Sequence, residues 1–383
     1  MVRHSFLLAT ACAMGAPASG QAPIAHDAQE PFVLGADLSA RAWMEQAGAA
    51  FRDEAKPGHL IGILAGHGWN MTRLRLFVAP NHEGPVVNDL PYTLALATRA
   101  RAAGMRLMLD IHYSDTWADP THQHKPAAWE GQDFETLVQT MHAYTASVIE
   151  SFKANGTVPE IVQIGNEITP GFLWPDGKLV GDDGIGTAAE RWARFARLLK
   201  ARIQGAREAA AGADMRVMVH VDRGGDWGAT QWFFEHLAQR GVDYDLIGQS
   251  YYPFRHGTLE DLRTCLRNTA EVFGKDMMVV ETAYPHAGEE WWSKYRMAWP
   301  ISPEGQAAFL RDLVEVVGKT PNGHGVGVLY WYPEAIRVEG LDIRNGGVTA
   351  LFGSDGNVLP GVPVPKTDGP AETGPPPANG IAP

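Results

Sequence analysis

An α/β fold of the (β/α)8 TIM-barrel type is expected, as a single catalytic domain, and three observations carry the expectation. Eight short apolar or β-branched runs punctuate the chain, each closing on polar or aromatic residues. Segments with apolar spacing near 3.6 residues separate them, and such strand–helix alternation implies a parallel sheet. No G-x-G-x-x-G turn follows the first run and no Walker sequence occurs, whereas the competing open doubly wound sheet often carries a Gly-rich phosphate turn and usually has fewer strands.

The strand candidates are residues 32–38, 71–77, 105–112, 161–166, 215–221, 246–251, 277–281 and 326–331. Helical spacing is read over 92–103, 134–152, 188–209, 230–240, 258–273 and 303–317. Gly104 and Gly274 stand where a helix stop is expected, because glycine enters the left-handed conformation that ends a helix without a Cβ clash. The barrel domain is placed at 31–361. Residues 362–383, rich in Pro, Gly and Ala with little apolar bulk, read as a disordered tail. Residues 1–22 read as a secretory signal: a basic start at Arg3 and His4, an apolar stretch from Phe6 to Ala16, then small residues suited to cleavage. A secreted or periplasmic protein is expected, with no membrane association once the signal is removed, since no later run reaches the roughly 18 apolar residues of a span. Cys12 falls within the signal, which leaves Cys265 without an intrachain disulfide partner.

The net charge is -12, so nucleic acid is excluded as a partner: its phosphates require Lys and Arg to displace counterions. A polyanionic substrate is disfavoured by the same repulsion, and a neutral one fits. The 12 tryptophans suit a sugar cleft, where the flat indole face meets the apolar face of a sugar, although they equally suit a core.

In closed barrels the reactive groups gather where strands run out into βα loops. Reading those ends yields Asp37, Arg75, His112, Asn166, Glu167, His220, Asp222, Tyr251, Glu281 and Trp331. Glu167 closes the fourth strand and Glu281 the seventh, on opposite sides of the mouth. A separation of about 5–5.5 Å between them would suit a retaining double displacement, with one carboxyl protonated and the other ionised. Asn166 is placed to hydrogen-bond a sugar 2-hydroxyl. Arg75 is expected beside Glu281, lowering its pKa and keeping it ionised.

The segments 71–78 (MTRLRLFV) and 109–120 (LDIHYSDTWADP) resemble successive blocks of the glycoside hydrolase family 53 endo-β-1,4-galactanases, and the second is highly specific. So do 162–168 (VQIGNEI) with 171–175, 250–254 (SYYPF) and 280–285 (VETAYP), in the same order across about 32–360. The resemblance implies a barrel of the large retaining clan, with Glu167 as acid/base and Glu281 as nucleophile. It implies β-1,4-galactan, the neutral side chain of pectin, as substrate. Arg75, His112, Asn166 and Tyr251 would shape the subsite of the sugar whose bond breaks, and Trp331 would stack beneath that sugar. Trp117 and the loop from Asp222 to Trp227 are candidates for neighbouring subsites, and Asp37, Asp115 and His220 complete the expected binding set. A monomer is expected, without a cofactor.

Two departures stand out. The family usually has Glu-Pro after the tryptophan of the eighth strand, whereas this chain has Tyr332-Pro333-Glu334. The stretch 286–303 is short and poor in the hard oxygen ligands that calcium needs, so no metal is expected. His112, His122 and His124 with Asp115 and Asp119 lack the i,i+4 histidine pair of a helical zinc site. Ser250 lacks the G-x-S-x-G elbow of a serine hydrolase. Trp291 and Trp292 read as a packed aromatic lid or an extension of the cleft. The alternatives are another retaining barrel β-glycanase, acting on β-glucan or β-mannan, and a non-catalytic sugar-binding barrel. The last would be expected to lack one of the two carboxylates.

Overall fold

The computed structural model describes residues 31–181 and 185–363. The expected signal and most of the expected tail lie outside them. Eight parallel strands close into a barrel: β1 (Val33–Asp37), β2 (Met71–Leu76), β3 (Arg106–Ile111), β4 (Ile161–Ile164), β5 (Arg216–Val221), β6 (Leu246–Ser250), β7 (Asp276–Glu281) and β8 (Gly325–Trp331). Each strand pairs with its neighbours in sequence, and β1 pairs with β8 from Val33↔Gly327 to Asp37↔Trp331, which closes the ring. Two short hairpins, Phe51–Asp53 with Lys56–Gly58 and Gly171–Phe172 with Gly177–Lys178, lie outside this numbering.

The helices are α1 (Arg41–Gln46), α2 (Leu60–Gly66), α3 (Leu90–Ala102), α4 (Phe134–Ala154), α5 (Ala188–Ala209), α6 (Trp227–Gln239), α7 (Leu259–Phe273), α8 (Glu289–Trp292) and α9 (Pro303–Gly318). The six expected helices appear within a few residues of their expected bounds. The longest are capped by their own sequence: Asp133 accepts from Thr136 N–H, and Thr187 and Glu190 form a reciprocal capping box. Gly274 ends α7 at φ 58°, the left-handed stop that its position suggests. The short α1, α2 and α8 were not anticipated, because four to seven residues show too little periodicity.

The barrel interior is layered. An apolar base is formed by Val33, Met71, Met108, Ile161, Met218, Leu246, Met278, Val280 and Leu329, so that every strand contributes. The two-residue side-chain period then carries the inward face upward, from Met71 to Arg73 and Arg75, from Met108 to Asp110 and His112, and from Met218 to His220 and Asp222. Between β6 and β7 the register slips: Gln249 pairs with Val279 but Ser250 with Glu281. The extra residue on β7 brings Glu281 level with Ser250 at the mouth, as bulges do when they re-aim a side chain. A larger apolar shell lies between strands and helices, and Cys265 is buried in it as a free thiol. Val362, expected in the tail, is instead buried, and its carbonyl accepts from Trp69 Nε1 at 2.8 Å. The folded part therefore runs past residue 361.

Candidate active site

The turn that leaves β4 is built by glycine. Gly165 has φ 92°, and a Cβ there would meet Ile168 Cγ2 at 2.8 Å. Glu167 follows with φ 49°, a left-handed conformation that a non-glycine residue adopts only when its surroundings hold it. Gln123 supplies part of that hold, donating from Nε2 to Asn166 O at 2.8 Å. The Glu167 N–H is directed at His220 Nδ1, 3.3 Å away. Its carboxyl Oε1 accepts from the Ser250 hydroxyl at 2.6 Å.

Glu281 is held differently. Its Oε1 lies 2.9 Å from Arg73 Nη2, and its Oε2 accepts from the Tyr252 hydroxyl at 3.2 Å. Arg73 is fully buried and also reaches Asp37 Oδ2 at 3.0 Å, Asp110 Oδ2 at 2.8 Å and Asn166 Oδ1 at 2.9 Å. One guanidinium thus binds three carboxylates, and its own pKa rises. Burial pushes the Asp110 carboxyl up, but Arg73 and then His112 pull it down to about 2.

These surroundings separate the two glutamates. Burial, then the Glu281 and Asp222 charges, push Glu167 well above the ordinary carboxylate value, with only the Ser250 hydrogen bond among the leading influences opposing. Burial also raises Glu281, but the adjacent Arg73 counteracts it. Glu281 is therefore the first of the pair to ionise. Burial and the Glu281 charge hold the Tyr252 phenol well above its ordinary value, so it remains a donor.

The expected guanidinium partner of Glu281 is corrected: Arg73, not Arg75, occupies that position. Both face inward, but Arg75 stands one step nearer the rim. It donates to Asn88 Oδ1 at 3.1 Å and to the Tyr332 hydroxyl at 2.9 Å, and its guanidinium carbon lies 4.1 Å from the Trp117 ring centre. Tyr251 is corrected likewise. It is fully buried and its hydroxyl donates to Gly257 O, whereas the neighbouring Tyr252 reaches Glu281.

Several expected binding residues prove to be braces. Asp37 is buried beneath Arg73 and accepts from Ser39. Asp115 accepts the N–H of Ala79 on one oxygen and that of Ala127 on the other, tying two loops together. His220 is fully buried behind Glu167. His112 accepts the Ala118 N–H on Nδ1 at 3.0 Å and turns Nε2 to Asp110, also at 3.0 Å. Asn166 accepts from Arg73 and donates to Ala118 O at 2.9 Å, which fixes its amide. Asp222 is 7% exposed; its Oδ1 has no hydrogen-bond partner among the described residues and lies 3.6 Å from Arg223 Nε.

Aromatic rings line the mouth. Trp331 packs on Tyr332 with centroids 4.2 Å apart, and Trp117 stands 6.4 Å from Trp331 and 6.2 Å from Tyr332. The paired tryptophans of α8 divide: Trp292 is buried against Phe254, and Trp291 is 50% exposed. Among the described residues no group of three or more His, Cys, Asp or Glu converges on a point where a metal would sit. Arg73, Asp110, Gln163, Ser250 and Tyr252 were not singled out as site residues from the sequence. Parity offered a signal for the first two, since Arg73 and Asp110 lie two residues before Arg75 and His112 on the same faces.

A two-carboxylate mouth on a closed parallel barrel defines a barrel glycosidase. The family model described as "Glycosyl hydrolase family 53" matches residues 33–364. The chain belongs to that family. It is 41% identical over 318 residues to an Aspergillus terreus protein named "Probable arabinogalactan endo-beta-1,4-galactanase A", spanning 80% of this chain and 87% of the relative. The Ignisphaera aggregans GH53 catalytic domain superimposes with a TM-score of 0.79 at 30% identity, over 87% of this chain and 94% of that one. A solved fungal β-1,4-galactanase gives 0.74 at 32% identity, over 86% and 98%.

Proposed function

We propose that this enzyme cleaves β-1,4-galactan internally with retention, Glu281 acting as nucleophile and Glu167 as acid/base. The observation that carries the reading is the unequal treatment of the two carboxyls. Arg73 and Tyr252 favour the anion on Glu281, while burial and neighbouring negative charge favour the acid on Glu167. In the first step a Glu281 oxygen bonds to the anomeric carbon, the glycosidic bond breaks, and the Glu167 proton passes to the departing oxygen. In the second, water attacks the same carbon, Glu167 takes its proton, and the bond to Glu281 breaks. Ser250 is paired with Glu281 in register and lies 2.6 Å from Glu167 Oε1, which supports the short spacing that retention needs.

Galactan as substrate rests on the similarity to named galactanases and agrees with the net charge of -12, which suits a neutral polymer. Trp331, Trp117 and Asp222 are the residues we assign to sugar contact. We also infer export and a monomeric enzyme, the former from the pattern of residues 1–22. Reducing-end release and product profiles on linear β-1,4-galactan, compared with cellulose and β-mannan, test the assignment. Intact galactan beside cleavage of another polymer overturns it. Proton NMR of the first-formed anomer tests retention, with the β anomer expected.

A further inference from the structure

We propose that Ser250, oriented by His220, is a positioning residue that keeps Glu167 Oε1 an acceptor and confines the transferable proton to Oε2. The proposal rests on the reading of Glu167 as acid/base. It begins with His220, which is fully buried and which burial holds well below its ordinary pKa, so the ring carries one proton. The hydrogen bonds decide which nitrogen bears it. The Glu167 backbone N–H can only donate, and it points at Nδ1 from 3.3 Å. Gln163 Nε2, which gives one hydrogen to Asp110 Oδ1 at 2.6 Å, lies 3.0 Å from the same nitrogen. Asn166 Oδ1 is equally near at 3.0 Å and accepts from Arg73, but a hydrogen on Nδ1 directed at it would leave the Glu167 N–H facing a second donor. Nδ1 is therefore the acceptor and Nε2 carries the hydrogen.

The rest of the chain of bonds follows from counting protons. Nε2–H donates to the Ser250 Oγ at 2.9 Å, and the single Ser250 proton then goes to Glu167 Oε1 at 2.6 Å. A proton on Oε1 would face the serine proton across that short gap, while the serine lone pairs are turned to His220. Protonation on Oε2 meets no such conflict. The slip between β6 and β7 sets Ser250 opposite Glu281 at the mouth. When Glu167 is a carboxylate, the same hydroxyl stabilises the anion on Oε1 and leaves Oε2 to take the proton from water. His220 is fully buried and reaches the Glu167 carboxyl through the serine, while its Nδ1 holds the Glu167 backbone N–H.

Two readouts test this, neither of which a purely structural role would move. In Ser250→Ala the alkaline limb of the kcat/KM profile on galactan moves up by about one pH unit, the tenfold in acidity that a hydrogen bond to a charged group carries. kcat falls about tenfold while KM stays within about twofold. Ser250→Thr, which retains the hydroxyl, returns the limb to its wild-type place. Should Ser250→Ala fail to fold, Ser250→Cys, a weak donor, gives a shift in the same direction. Combining Ser250→Ala with His220→Phe shifts the limb by less than the sum of the single shifts if the two act as one chain. An unmoved limb in Ser250→Ala, or strict additivity, overturns the proposal. Failure of the underlying reading is separable: Glu167→Ala then slows galactan and an aryl β-galactoside with a good leaving group equally.

Discussion

Glu334 offers a quantitative test of the electrostatics under the cleft. It follows Tyr332 and Pro333 in the loop after β8, is fully buried, and accepts the Ala40 N–H on Oε1 at 3.1 Å. Its Oε2 has no hydrogen-bond partner among the described residues. Burial, then the Asp37 charge, push the carboxyl from 4.5 up to about 8 against the pull of Arg75. Tyr92, Arg41 and Tyr332 complete the charged or titratable surroundings. The folded state thus holds a proton that the unfolded chain releases between pH 4.5 and about 8. Stability from this group is fully present below pH 4.5 and is lost as pH rises to about 8, beyond which the loss is constant. At about 1.4 kcal/mol per unit, the total is about 5 kcal/mol. Glu334→Gln keeps an acceptor for Ala40 and replaces the titrating oxygen with an amide that cannot ionise. Urea unfolding at pH 5 and pH 9 should show the variant close to wild type at the lower pH and more stable by several kcal/mol at the higher. Equal differences at the two pH values would refute the reasoning.

Four further outcomes are expected. Glu281→Ala abolishes turnover with the fold intact by circular dichroism, and Glu167→Ala loses far more rate on galactan than on aryl galactosides with good leaving groups, which need less protonation. Arg73→Lys, which cannot span three carboxylates with a planar fork, lowers kcat on galactan by roughly 100-fold, whereas Arg75→Lys costs less than about tenfold. Tyr252→Phe lowers kcat by about 10- to 100-fold, and Tyr251→Phe leaves kcat unchanged but costs about 1 kcal/mol in urea unfolding, one buried hydrogen bond. The kcat/KM profile is a bell whose acid limb, from Glu281, lies above 4.5, because burial outweighs Arg73; activity is lost as pH falls and Glu281 gains a proton, and again as pH rises and Glu167 loses one.

The eight strands and six main helices were legible because apolar periodicity, capping residues and Gly274 are local properties that survive in a one-dimensional reading. Glu167 and Glu281 were legible for a related reason: a strand end is a position in sequence, and the motifs around it are contiguous. The choice between Arg73 and Arg75, or between Tyr251 and Tyr252, was not. Arg73 and Arg75 share the inward face, and only strand tilt and register decide which lies at the height of Glu281. The two tyrosines are adjacent where β6 gives way to loop, and the change in backbone direction there settles which one faces the cleft. The roles of Asp37, Asp115 and His220 as braces depend on partners 36, 12 or 53 residues distant, which no local pattern specifies. The sequence by itself therefore determined the barrel, the carboxylate pair and the family. The tertiary structure decided which cation, phenol and hydroxyl touch each carboxylate, because those contacts join strands whose relative heights are set only when the ring closes.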